Sequence, residues 1–376
     1  MTEGGLFSSL RIRGLDLRNR IVVSPMCQYA AVDGMAGDWH LVHLGKFAQG
    51  GAAAVMVEAT AVEEGGRITH GDMGIWRDEQ IEPLARICRF VTAMGAVPGI
   101  QLSHAGRKGS AQRPWHGNGP LGERDWLERG ERAWPVPAPS GIPVDAEWPV
   151  PHALSVAELD RIRASWCEAA VRAHRAGFRI AEVHCAHGYL LHQFLSPLTN
   201  HRTDDYGGDE QRRMRFPLEV IRSVRAAWPS DLPLFVRISA VDGYDGGLML
   251  EDSIRFARAM VELGVDVVDC SSGGLIRPAM AATAVSPPPG FQVPYAEAVR
   301  AQTGIRTMAV GLIREAAQAD AIVRQGRADL VAIAREALWN PNWPMSAAGE
   351  LGLDPFRDVP VNYSLFLRRR VAAARA

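Results

Sequence analysis

Short apolar, β-branched runs recur along the chain, and stretches with helical periodicity separate them. Strands are predicted at Arg20–Ser24, Ala53–Val57, Val97–Leu102, Ile180–His184, Leu234–Ser239, Val265–Ser271, Arg306–Val310 and Leu330–Ala334. Their apolar positions run nearly unbroken instead of alternating with polar ones, as a sheet covered on both faces requires. The clearest helical patterns are Ser155–Ala176, Glu210–Ala227, Leu250–Leu263 and Glu315–Gln325. Ser155 and Glu158 form a capping box at the start of the first, and Gly177 is a stop after its end. Strands and helices in this alternation predict an α/β fold, a closed (β/α)8 TIM barrel. The alternative is a doubly wound sheet, but no Gly-x-Gly-x-x-Gly turn follows an early strand.

The spacing is uneven between the third and fourth strands. There, residues 109–151 are rich in Gly and Pro and carry Trp115, Trp126, Trp134 and Trp148. This long insertion after strand three is either a surface excursion or a lid over the barrel mouth, where βα loops build active sites. The expected organisation is one barrel domain over residues 1–367, with the 109–151 insertion, and a basic tail at 368–376.

Composition narrows the function classes. Apolar residues are 47% and charged residues 22% of the 376, ordinary for a globular protein with a large core. A formal net charge of −1 offers no basic field for nucleic acid or an anionic membrane. No run of about 18 apolar residues could span a bilayer, and the N-terminus lacks a secretory apolar core. Five cysteines without a close pair argue against a disulfide framework, so a cytoplasmic protein is expected.

The fourth predicted strand ends in His184, His187 and Tyr189, at the strand end where ligands bind in parallel α/β folds. Two chemistries fit. The histidines and Cys185 could hold zinc, although the spacing is not the helical i, i+4 pair of zincins and no third ligand follows at a familiar interval. Alternatively, the two imidazoles are neutral N–H donors to one substrate oxygen, with Tyr189 as proton donor.

The run His184-x-x-His187-Gly188-Tyr189, continued by Leu195-Ser196-Pro197 and Asn200-His201-Arg202-Thr203-Asp204-x-Tyr206-Gly207-Gly208, resembles the Old Yellow Enzyme family of FMN-dependent ene-reductases. Ser24-Pro25-Met26-Cys27-x-Tyr29 is similar to its bacterial xenobiotic-reductase and NADPH dehydrogenase class, and the likeness runs from about Leu6 to Leu367. It implies that Ser24, Pro25, Met26 and Cys27 face the flavin, with Cys27 tuning its redox behaviour and Tyr29 lining the substrate pocket. Backbone at Ala59 and the Gln101 amide, which offers both donor and acceptor, are expected at the flavin's pyrimidine edge. Arg237 lies inside an apolar strand, which is costly unless something anionic meets it. It belongs either to an internal ion pair with an acid such as Glu182 or, as the resemblance implies, beside the flavin N1/O2 edge. Ser272, Gly273, Gly311, Ala334 and Arg335 are the expected phosphate cradle, at the usual place in these barrels after the last strands.

Three departures stand out. Ala334 takes the place of a usual glycine, Gln211-Arg212-Arg213 replaces a usual Glu-Asn-Arg, and no cysteine cluster follows the barrel as in iron–sulfur relatives. The resemblance implies NADPH or NADH as reductant and activated alkenes as substrates, held at His184 and His187 and protonated by Tyr189. It also implies a homodimer, or a tetramer of such dimers, in which Phe366, and less strongly Arg368, reaches the neighbour's pocket. The rival readings are a zinc-dependent barrel hydrolase and a non-catalytic flavin-binding protein.

Overall fold

The computed structural model describes residues 4–276 and 287–373. Eight parallel strands close into a barrel. They are β1 (Ile21–Val23), β2 (Ala54–Ala61), β3 (Val97–Ser103), β4 (Ile180–Cys185), β5 (Leu234–Ser239), β6 (Val267–Ser271), β7 (Arg306–Ala309) and β8 (Leu330–Ile333). Each pairs with its sequence neighbours, and β8 closes on β1 through Val331, Ala332 and Ile333 opposite Ile21, Val22 and Val23. The strands match the sequence expectation within a residue or two, except that β2 runs on to Ala61.

An outer ring of helices covers the barrel: α1 (Asp38–Gln49), α2 (Ile81–Ala93), α3 (Val156–Arg175), α4 (Leu190–Leu195), α5 (Glu210–Ala227), α6 (Leu250–Glu262), α7 (Val293–Thr303) and α8 (Ala316–Arg324). The short α9 (Arg335–Trp339), then α10 (Trp343–Glu350) and α11 (Val361–Ala373), follow β8. α2 shows why these segments pack as they do. Leu84, Ile87, Cys88 and Val91 recur at i, i+3, i+4 and i+7 and are buried against the strands. The predicted capping box of α3 is present, with Ser155 N–H donating to Glu158 Oε2 at 2.8 Å and Glu158 N–H to Ser155 Oγ.

The barrel interior changes character from base to mouth. Side chains two apart on a strand share a face, so β4, β5 and β6 turn Ile180, Phe235 and Val267 inward first. These join Met56, Met308 and Leu330 in one apolar cluster. A hairpin, Leu10–Ile12 with Leu15–Leu17, plugs the base and adds Ile12, Leu15 and Leu17 to that cluster. One step higher the same strands carry Glu182, Arg237 and Asp269, and one step higher again His184, Ser239 and Ser271. An apolar base, a charged middle and a histidine–serine rim are thus written into every second residue.

The 109–151 insertion contains a short helix, Glu123–Arg129, and a two-residue strand, Pro137–Ala138, paired with His152–Ala153. It is tied to the mouth. Arg113 donates to the Tyr29 carbonyl (3.1 Å), Trp134 Nε1 donates to the Gly65 carbonyl (3.2 Å), and Trp115 lies edge-on to Tyr29 at 6.0 Å. At the other end of the chain, α11 runs through Arg368–Arg370, so the basic segment continues a helix instead of trailing as a tail; residues 374–376 lie outside the described residues. Among the described residues no helix is long and apolar enough to cross a membrane.

Candidate active site

His184 ends the inward face of β4 and is 3% exposed. Its Nδ1 accepts the Ala186 N–H at 3.1 Å, so the neutral ring carries its proton on Nε2. Burial lowers its pKa well below the ordinary histidine value, and Arg237, His192 and Lys108 add to that. His187 follows in a left-handed turn (φ 57), its ring 5.2 Å from that of His184. Burial, then Arg237 and His184, lowers its pKa in the same direction, and its Nε2 is 2.7 Å from Ser271 Oγ. Two uncharged imidazoles at one strand end are suited to polarising an oxygen by hydrogen bonds. Tyr189 stands edge-on to His184 at 4.9 Å. Burial, with Cys27 and Asp72, raises its hydroxyl well above the phenol range, so it keeps its proton. The sequence-predicted trio is therefore assembled.

Two glycines let this turn approach the loop after β6. A Cβ on Gly188 would meet the Gly274 carbonyl at 2.5 Å, and one on Gly274 would meet His187 Cα at 2.7 Å. From the turn after β3, Lys108 donates to the His187 carbonyl (2.9 Å) and to that of Gly274, fastening both loops. Gly273 belongs to this contact too, since its carbonyl accepts from Ser239 Oγ at 2.7 Å.

Ser24, Pro25, Met26 and Cys27 lead out of β1 into the mouth. Burial, then the nearby Glu58 and Asp72 carboxyls, raises the Cys27 thiol well above its usual range, which keeps it neutral. Tyr29, at φ 54, is a second strained residue at the rim. Ala59 lies just past a bulge where β2 and β3 skip a residue, Val57 pairing with Ile100 and Ala59 with Gln101. The bulged Glu58 turns to His40 (3.3 Å) and accepts the Gln28 N–H, which fixes the turn carrying Cys27. Neither Glu58 nor His40 was singled out by the sequence, because the bulge that brings them together leaves no periodic trace.

Arg237 sits in the charged layer, and its internal partner is not Glu182. Its Nε is 3.2 Å from Asp269 Oδ2 and its Nη1 donates to Ser24 Oγ at 3.1 Å. Asp269 stands directly opposite Arg237 in the β5–β6 register, whereas Glu182 pairs with Phe235 and accepts from Gln101 Nε2 at 2.8 Å. Burial and Asp269 push the Glu182 carboxyl upward against the opposing pull of Arg237.

Across the mouth, Gly311, Ala334 and Arg335 line a cavity of about 300 Å³ with Phe291, Gln292 and Leu312. Gly311 (φ 117) and Leu312 (φ 53) turn the backbone sharply after β7, and Arg335 opens the short α9. Ser272 reaches this cavity indirectly by accepting from Gln292 Nε2 at 2.8 Å. Gln292 itself lay too far along the chain from any motif to be noticed. The donor set fits a phosphate here, Arg237 and Gln101 fit a polar ring edge, and the neutral Cys27 and His184 fit the ring's reactive side. Together these groups match FMN. Phe366, by contrast, is 68% exposed on α11 and lines none of these surfaces, while Arg368 is held by Asp354 at 3.2 Å in its own chain. Among the described residues no group of three His, Cys, Asp or Glu side chains has metal-binding spacing.

Residues 5–354 match the NADH:flavin oxidoreductase / NADH oxidase family. An NADPH dehydrogenase of Geobacillus sp. (strain WCH70) is 44% identical over 352 residues, 93% of this chain and 95% of that protein. Among solved structures, morphinone reductase superposes with a TM-score of 0.76 at 25% identity, covering 94% of this chain and 91% of that one. The old yellow enzyme homologue from Zymomonas mobilis superposes with a TM-score of 0.74 at 23% identity, covering 92% and 93%. With a barrel of this kind and a mouth that fits FMN, the chain belongs to the NADH:flavin oxidoreductase / NADH oxidase family, the Old Yellow Enzyme group of FMN-dependent NAD(P)H oxidoreductases.

Proposed function

We propose that the protein reduces activated C=C bonds in enones, enals, maleimides and nitroalkenes, with NADPH or NADH and the alkene using one pocket in turn. The observation that carries this reading is the meeting of His184, His187 and Tyr189 at the end of β4, with the His184 ring 5.2 Å from that of His187 and 4.9 Å from that of Tyr189 and its Nδ1 taken by the Ala186 N–H. His184 Nε2–H and His187 hold the carbonyl or nitro oxygen, so negative charge developing there meets donors already in place. FMN, when bound, would supply hydride chemistry directed at the β-carbon. Tyr189 delivers a proton to the α-carbon, while Arg237 would hold the flavin edge where charge accumulates and Arg335 with Gly311 would hold the phosphate.

The 109–151 insertion forms one wall of the pocket, supported by its contacts with Tyr29. Exposed Val361, Leu365 and Phe366 on α11 support a dimer in which this helix reaches the neighbouring mouth. Anaerobic stopped-flow spectroscopy of the FMN-loaded protein tests the reading. NADPH or NADH should bleach the flavin, and enones, maleimides or nitroalkenes should restore its absorbance, with restoration slowed in Tyr189→Phe. A flavin that is bleached but recovers no faster with any of these alkenes than with buffer would sink the proposal.

A further inference from the structure

His187 is held in a backbone region that costs a non-glycine residue roughly 1 kcal/mol or more, so something outside the turn must hold it. Between Ala186 and Tyr189 every backbone polar group has a partner. Ala186 N–H goes to His184 Nδ1, His187 N–H to Ser239 Oγ, Gly188 N–H to His192 Nδ1 (2.8 Å) and Tyr189 N–H to the Ala186 carbonyl. The carbonyls of His187, Gly188 and Tyr189 accept from Lys108 Nζ, Gln193 Nε2 and Gln193 N–H.

Two of these partners, His184 and His192, depend on where a ring proton sits, and the second lies outside the site itself. His192 can accept from Gly188 only while its Nδ1 is unprotonated. Its Nε2 lies 2.9 Å from Asp242 Oδ1, and both side chains are 0% exposed. The other carboxylate oxygen, Oδ2, accepts from Ser196 Oγ (2.6 Å) and Leu248 N–H (2.7 Å).

We propose that His192 and Asp242 are positioning residues for the reaction. Asp242 selects the His192 tautomer protonated at Nε2, and the freed Nδ1 anchors Gly188 between His187 and Tyr189, so both reacting side chains keep their place at the mouth. The inference rests on the reading that His187 and Tyr189 act on the substrate. Asp242→Asn tests the tautomer directly. Leu248 N–H requires an acceptor, so the amide oxygen takes the Oδ2 position and the NH2 faces His192 Nε2. That drives the proton to Nδ1, donor against the donor of Gly188. His192→Asn instead keeps an acceptor at the same number of bonds from Cα and needs no carboxylate to orient it.

The experiment uses FMN-loaded protein and a para-substituted phenolate, whose oxyanion suits the two imidazole donors, read through the flavin spectrum. Asp242→Asn should raise the phenolate Kd and lower alkene kcat by about 10–100-fold without loss of FMN. His192→Asn should stay within a few-fold of wild type, and adding Asp242→Asn to it should cost nothing more. Equal losses from Asp242→Asn in both backgrounds, or none in either, would overturn the proposal. So would ¹⁵N signals of the wild-type protein that place the His192 proton on Nδ1, a measurement that stands even if a variant fails to fold. A wild-type holoenzyme that neither binds phenolate nor reduces alkenes would remove the functional reading instead, while the ¹⁵N signals would still report the tautomer.

Discussion

On the β4 side of the mouth, His184 is buried and the turn that follows has its backbone groups fully engaged. On the β7–β8 side, a cavity of about 300 Å³ opens beside an exposed Arg335. The two regions answer different demands. Groups that stabilise charge appearing during a reaction must be oriented before it appears, so neighbours hold them. A phosphate arrives with its charge already formed, and an accessible guanidinium beside a sharply turned backbone suffices to hold it. The first region should therefore fail in turnover and the second in cofactor retention.

The sharpest test of that division is His184→Ala with His187→Ala. Losing one oriented donor costs about 3–4 kcal/mol, so alkene reduction should fall by at least about 10²-fold while FMN titration is unchanged. Flavin loss on the same scale would erase the distinction between the two sides.

Glu63 braces the first region from behind. Its Oε1 is 2.9 Å from His104 Nε2 and its Oε2 is 2.5 Å from Arg161, while the His104 carbonyl accepts the Leu190 N–H at the start of α4. Burial pushes its carboxyl up, but His104 and Arg161 more than offset this and bring it to about 2, below the ordinary 4.5. A carboxyl depressed in the folded state stabilises the fold above its unfolded pKa and loses that contribution as pH falls through the folded one. Glu63→Gln should thus cost roughly 2–3 kcal/mol at pH 7. The gap to wild type should close between about pH 4.5 and 2, as measured by denaturant unfolding. A gap independent of pH would show that the charge plays no part.

Arg335→Ala should loosen FMN by about 1.5 kcal/mol, roughly tenfold in Kd, with alkene turnover at saturating FMN close to wild type. Unaltered flavin affinity would remove Arg335 from the phosphate site. The smallest effect is expected from cutting the chain after Pro360, which deletes α11. Single interface side chains usually contribute under about 1 kcal/mol, so a few-fold rise in substrate KM with FMN still bound is expected. A full-length protein that sediments as a monomer, with kinetics indifferent to the cut, would exclude the shared wall.

Local patterns were legible where one stretch of chain determines them. β5 and α5 fall on the residues their periodicity marks, Leu234–Ser239 and Glu210–Ala227. His184, His187 and Tyr189 lie within six residues, so the motif and the side-chain cluster at the end of β4 coincide. Glu58 breaks the apolar run of β2, so the sequence marks the strand only to Val57, although the ladder bulges around Glu58 and continues to Ala61. The partner of Arg237 depended on which strands lie side by side and in what register, and that brought Asp269 opposite it. Glu63 with His104, and His192 with Asp242, are likewise joined only by tertiary structure. The arginine run marks 368–376 as a basic tail in the sequence, yet α11 continues through Arg370, and Arg368 has Asp354 and the Phe356 ring to pack against.

The close passage of Gly188 against Gly274 has a consequence for redesign. Where two loops are separated by less than the width of a methyl group, neither can be exchanged alone. Chimaeras that graft the β4 loop from a relative should inherit its β6 loop in the same cassette, and libraries that diversify one should leave the facing glycine untouched. The barrel encourages modular engineering of its rim, but these two modules form a single unit of inheritance.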